Sequence, residues 1–300
     1  MDYKIPEDIK ILVATPNYTN TFHATVHTNH IECADYWTKQ GIDYNWTIIG
    51  RSFVHFARTQ MCQVAVEGDF SHIFWLDDDA IIDPEILPRF IQHDKDVVIA
   101  PYPMRKMPHD IGVLLSTTGD FHDHGSYRNL SLGDLDKGLI EVDGGGTHAM
   151  LVKVDTLKKK GEPTEESLLP EKLFRAFEKL NDQERMLAKQ FLGDPPRGNL
   201  SFEEEDKSGI PYFVMPKSGT EDMYWCYRAK RKGIEIWCDT DVFSGHMGFV
   251  PVVTREWRAH AEKSLEEFGE DQRTYLSIIP GDGDVRNPYA MVKDKASNLI

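Results

Sequence analysis

The chain has 300 residues, 40% of them hydrophobic and 11% aromatic, enough to bury a sizeable core as one large or two modest domains. Forty-nine acidic against 34 basic residues leave a net charge of −15, which argues against nucleic acid as the main partner and against docking on an anionic bilayer. No stretch reaches the roughly 18 apolar residues of a membrane span. The opening "MDYKIPEDIKILVATP" carries acids where a signal peptide needs an apolar core, and Cys33, Cys62, Cys226 and Cys238 lack CxxC spacing. A cytoplasmic protein with reduced, buried thiols is the expectation.

In chain order, "IKILVATP" reads as a buried strand stopped by Pro16. "TFHATVHTNHIECADYWTKQG" follows as a helix, with Phe22, Val26, Cys33 and Trp37 near helical spacing and Gly41 closing it. "NWTIIG" is a second strand. "SFVHFARTQMCQVAVEG" is a helix with Val54, Ala57, Met61 and Val64 on one face. "HIFWL" and "DVVIAPY" are the third and fourth strands, separated by a segment that Asp83 and Pro84 open as a helix and Pro88 shortens or kinks. Beyond residue 110 come short strands with Gly-rich turns, "GVLLS", "GLIEVDGGG" and "AMLVKV". The alternation predicts an α/β fold with a mixed, mainly parallel sheet flanked by helices. Residues 1–255 read as one catalytic domain with a charged, helical insertion at about 156–209, and 256–300 as a C-terminal helix and polar tail.

Three places carry chemistry. In "SHIFWLDDDAIIDP" a buried strand runs into Asp77, Asp78 and Asp79, at the carboxyl end where open α/β sheets bind ligands. Such carboxylates hold a hard divalent cation that bridges to phosphate, unless the run is a solvated turn. Alternation along the backbone puts Asp77 and Asp79 on one side and Asp78 on the other. In "SGTEDMYWCYRAKRKG", Glu221 and Asp222 open a helix, where negative charge is favoured in any case and also suits a general base. In "VFSGHMG", His246 sits between two glycines after a strand, placed to ligate a metal or to make a structural hydrogen bond. "DGGGTH" lacks the GK[ST] of a phosphate loop, "HDH" at 122–124 lies in a polar loop, and His23, His27 and His30 share a helix face.

The ordered series "ILVATP", "GRSFVHFARTQMCQVAV", "HIFWLDDDA", "VDGGGTHAMLVKVDTL" and "GTEDMYWCYRAKRKGIEIWCDTDVFSGHMG" resembles the GT-A nucleotide-sugar glycosyltransferases, in particular the family-2-like group of bacteria and their phages. The resemblance covers about residues 8–155 and 210–250. It implies a Mn2+ or Mg2+ ion held by Asp77, Asp79 and His246, and a nucleoside-diphosphate sugar donor. Thr15 and Pro16 would border the base, with Arg58 near them; Asp77 and Asp78 would face the donor. Arg105, with Lys106, would lean towards phosphate, and Gly144, Gly145 and Gly146 would let backbone approach the sugar. Asp222, or failing it Glu221, would take the proton of an acceptor hydroxyl in an inverting transfer. The acceptor is unnamed, whether glycan, lipid-linked sugar or protein. His148 departs from the pattern, which usually has small or apolar residues there.

Other classes compete. A nucleotidyltransferase on a related fold would want a Gly-rich, basic signature after the first strand, which "ATPNYTNTFHA" lacks. A metal-dependent hydrolase of nucleotide sugars and a non-catalytic carbohydrate-binding relic are the remaining alternatives.

Overall fold

The computed structural model describes residues 3–105, 109–117, 127–158, 212–213, 215, 220–231 and 233–248, with isolated positions at 255, 259 and 263. The expected insertion lies outside the described residues beyond Lys158, as do Lys106, the "HDH" loop and nearly all of the C-terminal helix and tail.

The chain builds β1 (Lys10–Asn17), α1 (Ala24–Lys39), β2 (Asp43–Gly50), α2 (Val54–Glu67), β3 (His72–Leu76), the two-residue β4 (Ala80–Ile81), α3 (Ile86–His93) and β5 (Val97–Ile99). It continues through β6 (Val113–Ser116), β7 (Tyr127–Asn129), β8 (Leu139–Val142), β9 (Gly144–Gly145), β10 (Ala149–Lys153) and α4 (Val154–Lys158). After the undescribed stretch come α5 (Glu221–Arg231), β11 (Ile236–Asp239) and β12 (Gly245–His246).

A seven-stranded sheet with order β2-β1-β3-β10-β5-β11-β8 is the centre of the molecule. Strands β2, β1, β3, β5 and β11 run one way, and β10 and β8 run against them. This is the mixed, mainly parallel sheet flanked by helices that the apolar pattern predicts. Period-two alternation sorts its side chains onto two faces. Ile11, Val13, Phe74, Leu76, Val98 and Leu151 pack with Cys33 and Trp37 of α1 and with Ile86, Leu87 and Phe90 of α3. Leu12, Ile73, Trp75, Val97, Ile99, Met150 and Ile236 pack with Met61, Cys62 and Ala65 of α2 and with Trp225, Cys226 and Ala229 of α5. Because both faces are covered, the inner strands read as unbroken apolar runs. Each such fully buried side chain contributes about 1.5–3 kcal/mol of transfer free energy. All four cysteines are buried and free, and no helix among the described residues is long and apolar enough to cross a membrane.

Two prolines behave differently from the sequence reading. Pro16 does not stop β1: the register with β2 continues through Pro16 and Asn17, whereas the register with β3 ends at Ala14. The missing donor is tolerated where only one ladder partner remains. Pro84 does not open α3, which starts at Ile86 with Glu85 as its cap, and Pro88 falls in the first turn of this short helix, where backbone N–H groups have no intrahelical acceptor. The Asp83 carboxylate accepts from Glu85 N–H at 2.9 Å just ahead of that turn.

The three histidines of α1 separate in role. His23 caps the helix, its Nδ1 accepting from Thr25 N–H at 3.2 Å. His30 is buried against Trp46 and Phe22 and donates from Nε2 to the Ala80 carbonyl at 3.1 Å. Burial holds the His30 imidazole down at about 4, against an ordinary value near 6.5. Below pH 6.5 the unfolded chain therefore binds a proton that the native state refuses. The associated stability is complete above pH 6.5 and is lost as pH falls towards 4, with a slope approaching ~1.4 kcal/mol per pH unit. Urea unfolding at pH 7.5, 6 and 5 should show this decline, and His30→Gln should flatten it by about one proton. An unchanged slope in that variant would contradict the assignment.

Candidate metal centre at the carboxyl ends of β1 and β3

Chain order reverses at β1, which has β2 on one side and β3 on the other; that is the switch point where open α/β sheets place ligands. Asp77, Asp78 and Asp79 turn off the end of β3 there. Two backbone pairings bring distant histidines to this turn. The antiparallel ladder of β10 with β3 sets Ala149 opposite Leu76, and one step further Asp77 N–H donates to the His148 carbonyl at 3.1 Å. The pairing of β12 with β4 sets His246 opposite Ala80, and Met247 N–H donates to the Asp79 carbonyl at 2.8 Å.

The result is a cluster of Asp79, His148 and His246 with one donor atom from each within 4.8 Å of the others. His246 Nε2 lies 3.2 Å from Asp79 Oδ2, and His148 Nδ1 lies 4.0 Å from Asp79 Oδ1. The other nitrogen of each ring faces a carbonyl: His148 Nε2 donates to Gly245 O at 3.0 Å and His246 Nδ1 to Pro103 O at 2.9 Å. A carbonyl accepts only, so each ring keeps a proton on its far nitrogen. His148 Nδ1 then turns a lone pair towards Asp79, while His246 Nε2 is hydrogen-bonded to Asp79 Oδ2 at 3.2 Å. Burial, with the neighbouring His246 adding to it, keeps His148 at about 4, so this ring is neutral around pH 7. Its Nδ1 is buried with no hydrogen-bond partner. Burial also opposes ionisation of Asp79, but the hydrogen bond and charge of His246, with His148 and Arg105, hold it down at about 2.

An orphaned, buried lone pair beside an ionised carboxylate is what a cation would satisfy. Donors at about 2.1 Å from a shared ion and at right angles stand about 3 Å apart; the observed spacings need only small side-chain adjustments. The donor set of two imidazoles and one carboxylate fits a divalent transition ion. Arg105, whose side chain is mostly exposed, places its guanidinium 3.2 Å from Asp79 Oδ2.

The other residues singled out by sequence fall around this centre. Asp77 is not one of the three clustered residues; its Oδ1 accepts from Arg58 at 2.8 Å. Arg58 is buried and also pairs with Glu221, so one guanidinium joins α2, the end of β3 and the start of α5. Glu221 is thereby enclosed, and burial raises its carboxyl above the usual range although Arg58 opposes this. The helix start that favours its anion is outweighed by desolvation. Asp222 is more open; it accepts from the Thr220 hydroxyl and from Met223 N–H at 2.7 Å. Asp78 is pushed up to about 7, by burial first and then by Asp79 and Asp77. Thr15 is buried and its hydroxyl accepts from Trp46 Nε1 at 2.9 Å, while Pro16 sits beside it at the end of β1.

The three glycines have internal reasons to lack side chains. A Cβ on Gly144 would press on Cys226, one on Gly145 would overlap Ile99, and one on Gly146 would overlap the Tyr102 hydroxyl. Sequence reasoning singled out His148 as an anomaly without seeing a ligand, and it passed over Tyr102. Only the antiparallel β10–β3 register would have signalled the first.

Fold and site together define an α/β protein with an Asp/His/His cluster that could hold a metal ion at the switch point of its central sheet. No protein-family model and no curated protein sequence matches the chain. Among solved structures it is similar to A197 from STIV, with 15% identity, 80% of this chain and 86% of that one covered, and a TM-score of 0.44. A glycosyltransferase involved in the glycosylation of the major capsid of PBCV-1 matches with 12% identity over 85% of this chain and 98% of that one, at a TM-score of 0.28. The 4-diphosphocytidyl-2C-methyl-D-erythritolsynthase from Anaerococcus prevotii matches with 8% identity over 75% and 97%, also at 0.28. At these scores the functional argument rests on the site alone.

Proposed function

We propose that this chain is a metal-dependent glycosyltransferase that moves a sugar from a nucleoside-diphosphate donor to an acceptor hydroxyl with inversion. The observation that carries the reading is the convergence of two imidazoles, each held at its far nitrogen by a carbonyl, on ionised Asp79 at the carboxyl end of β3. Asp79, His148 and His246 would hold Mn2+ in preference to Mg2+, because imidazole suits the softer ion. Bound there, the ion supplies Lewis-acid neutralisation of the charge that grows on a departing diphosphate.

The protein's own groups account for the rest. Arg105, exposed and already drawn to the acidic centre, is placed to pair with a phosphate oxygen when the cation takes over Asp79. Arg58 clamps Asp77 and Glu221, which fixes the acidic turn against the first turn of α5. Asp222, free of that clamp, is the base that accepts the hydroxyl proton as the acceptor attacks the anomeric carbon. Glu221 holds Arg58 instead.

One observation favours a second reading. Two histidines and one carboxylate leave open coordination positions of the kind that metal-dependent hydrolases give to water. Incubation with UDP- and GDP-sugars and Mn2+, with the nucleotide product identified, separates the possibilities. Release of nucleoside diphosphate is the expected result. Release of monophosphate would establish hydrolysis of the diphosphate, and binding without turnover would leave a carbohydrate-recognition relic.

A further inference from the structure

We propose that Tyr102 is the positioning residue of the metal centre, a ring that holds both imidazoles in the orientation a shared ion requires; this rests on the metal reading given above. The Tyr102 ring stacks on His148 with centroids 4.4 Å apart and planes inclined by 18°, and it meets His246 edge-on at 5.6 Å and 68°. The two imidazoles are 4.7 Å apart at 53°. One aromatic surface therefore fixes the tilt of each ring and the angle between them, which the carbonyl hydrogen bonds alone do not: a single N–H bond leaves the ring free to swing about its axis.

The fold reserves space for this ring. A Cβ on Gly112 would overlap the Tyr102 phenol ring, and a Cβ on Gly146 would overlap its hydroxyl. These glycines come from different segments and are tied to each other and to Tyr102: Gly112 N–H donates to Tyr102 O at 2.8 Å, and Gly146 N–H to Gly112 O at 3.1 Å. Neither has a positive φ, so backbone conformation does not demand glycine at either position. The residues flanking Tyr102 complete the brace. Pro103 O takes the proton of His246 Nδ1, and Pro101 O accepts from Ser244 N–H at 3.0 Å and from the Ser244 hydroxyl at 3.3 Å. The segment Pro101-Tyr102-Pro103 thus holds the chain that carries His246 at two points, Ser244 and His246, and covers His148 with the ring between them.

The test is Mn2+ affinity measured by calorimetry on the full chain, independent of turnover. Tyr102→Phe keeps the stack and should bind Mn2+ within about twofold of wild type. Tyr102→Leu removes it and should lose about 10–100-fold, the range seen when an outer-shell partner of a ligand is removed. Gly146→Ala sets its Cβ against both the hydroxyl and ring carbon Cζ of Tyr102 and should weaken binding about tenfold; Tyr102→Phe removes the oxygen but not the carbon, so part of that loss should be recovered in the Tyr102→Phe background. That rescue is a readout a merely structural ring would not give, and it holds even where Tyr102→Leu fails to fold. Wild-type affinity in folded Tyr102→Leu, or equal losses from Gly146→Ala in both backgrounds, would overturn the inference while leaving the metal reading in place. No Mn2+ binding by the wild type would overturn both.

Discussion

Asp79→Asn should abolish Mn2+ binding while leaving the apo protein as stable as wild type or more so. Among the described residues the Asp79 carboxylate meets His246 Nε2 and Arg105 at 3.2 Å each, and the orphaned His148 Nδ1 stands 4.0 Å from its other oxygen. An asparagine amide turned with its nitrogen towards His148 would donate to the orphaned Nδ1 there, while its oxygen keeps the contact with His246. The same change removes the single anionic ligand. His246→Ala should lose metal as well, but without that compensation its apo form should melt below wild type. For both variants the loss in affinity should exceed the ~10–100-fold that outer-shell partners cost. Calorimetric titration of Mn2+ together with thermal unfolding in chelator checks the pair. Undiminished Mn2+ affinity in either variant would mean that the cluster is structural.

The second large effect belongs to α5. Asp222→Asn should lower kcat by about 10²–10⁴-fold, the usual contribution of a general base, while the donor dissociation constant and Mn2+ affinity stay within a few fold. Glu221→Gln should behave differently. Glu221 shares buried Arg58 with Asp77, and neutralising it strips one of two counter-charges from an enclosed guanidinium. Its principal consequence should therefore be reduced stability, with kcat falling less than in Asp222→Asn. Single-turnover rates and urea unfolding on both variants decide the matter. Full turnover by Asp222→Asn with an inactive but stably folded Glu221→Gln would reverse the assignment.

The sheet was legible in the sequence because both of its faces are covered. Strands such as "HIFWL" are then apolar throughout, and that segment is β3 residue for residue. Helix ends were legible where a cap or a glycine marks them, as at Gly233 with φ +72° after α5. The acidic turn stood out because Asp77–Asp79 end a buried run. What was not legible is everything that depends on pairing between distant segments. Arg58 and Glu221 are 163 positions apart, so the clamp that sets them together has no local signature. His148 becomes a neighbour of Asp77 only because β10 runs antiparallel between β3 and β5. The three glycines suggest an approaching ligand in the sequence, and their missing side chains also make room for Cys226, Ile99 and Tyr102, which only the packed structure shows.

The central claim, that Asp79, His148 and His246 jointly ligate one ion, is tested most directly by electron spin-echo spectroscopy of the Mn2+-loaded protein. Modulation from two imidazole nitrogens is predicted, falling to one in His148→Ala and likewise to one in His246→Ala. A Mn2+ spectrum free of nitrogen modulation, or one unaltered by both substitutions, would contradict it.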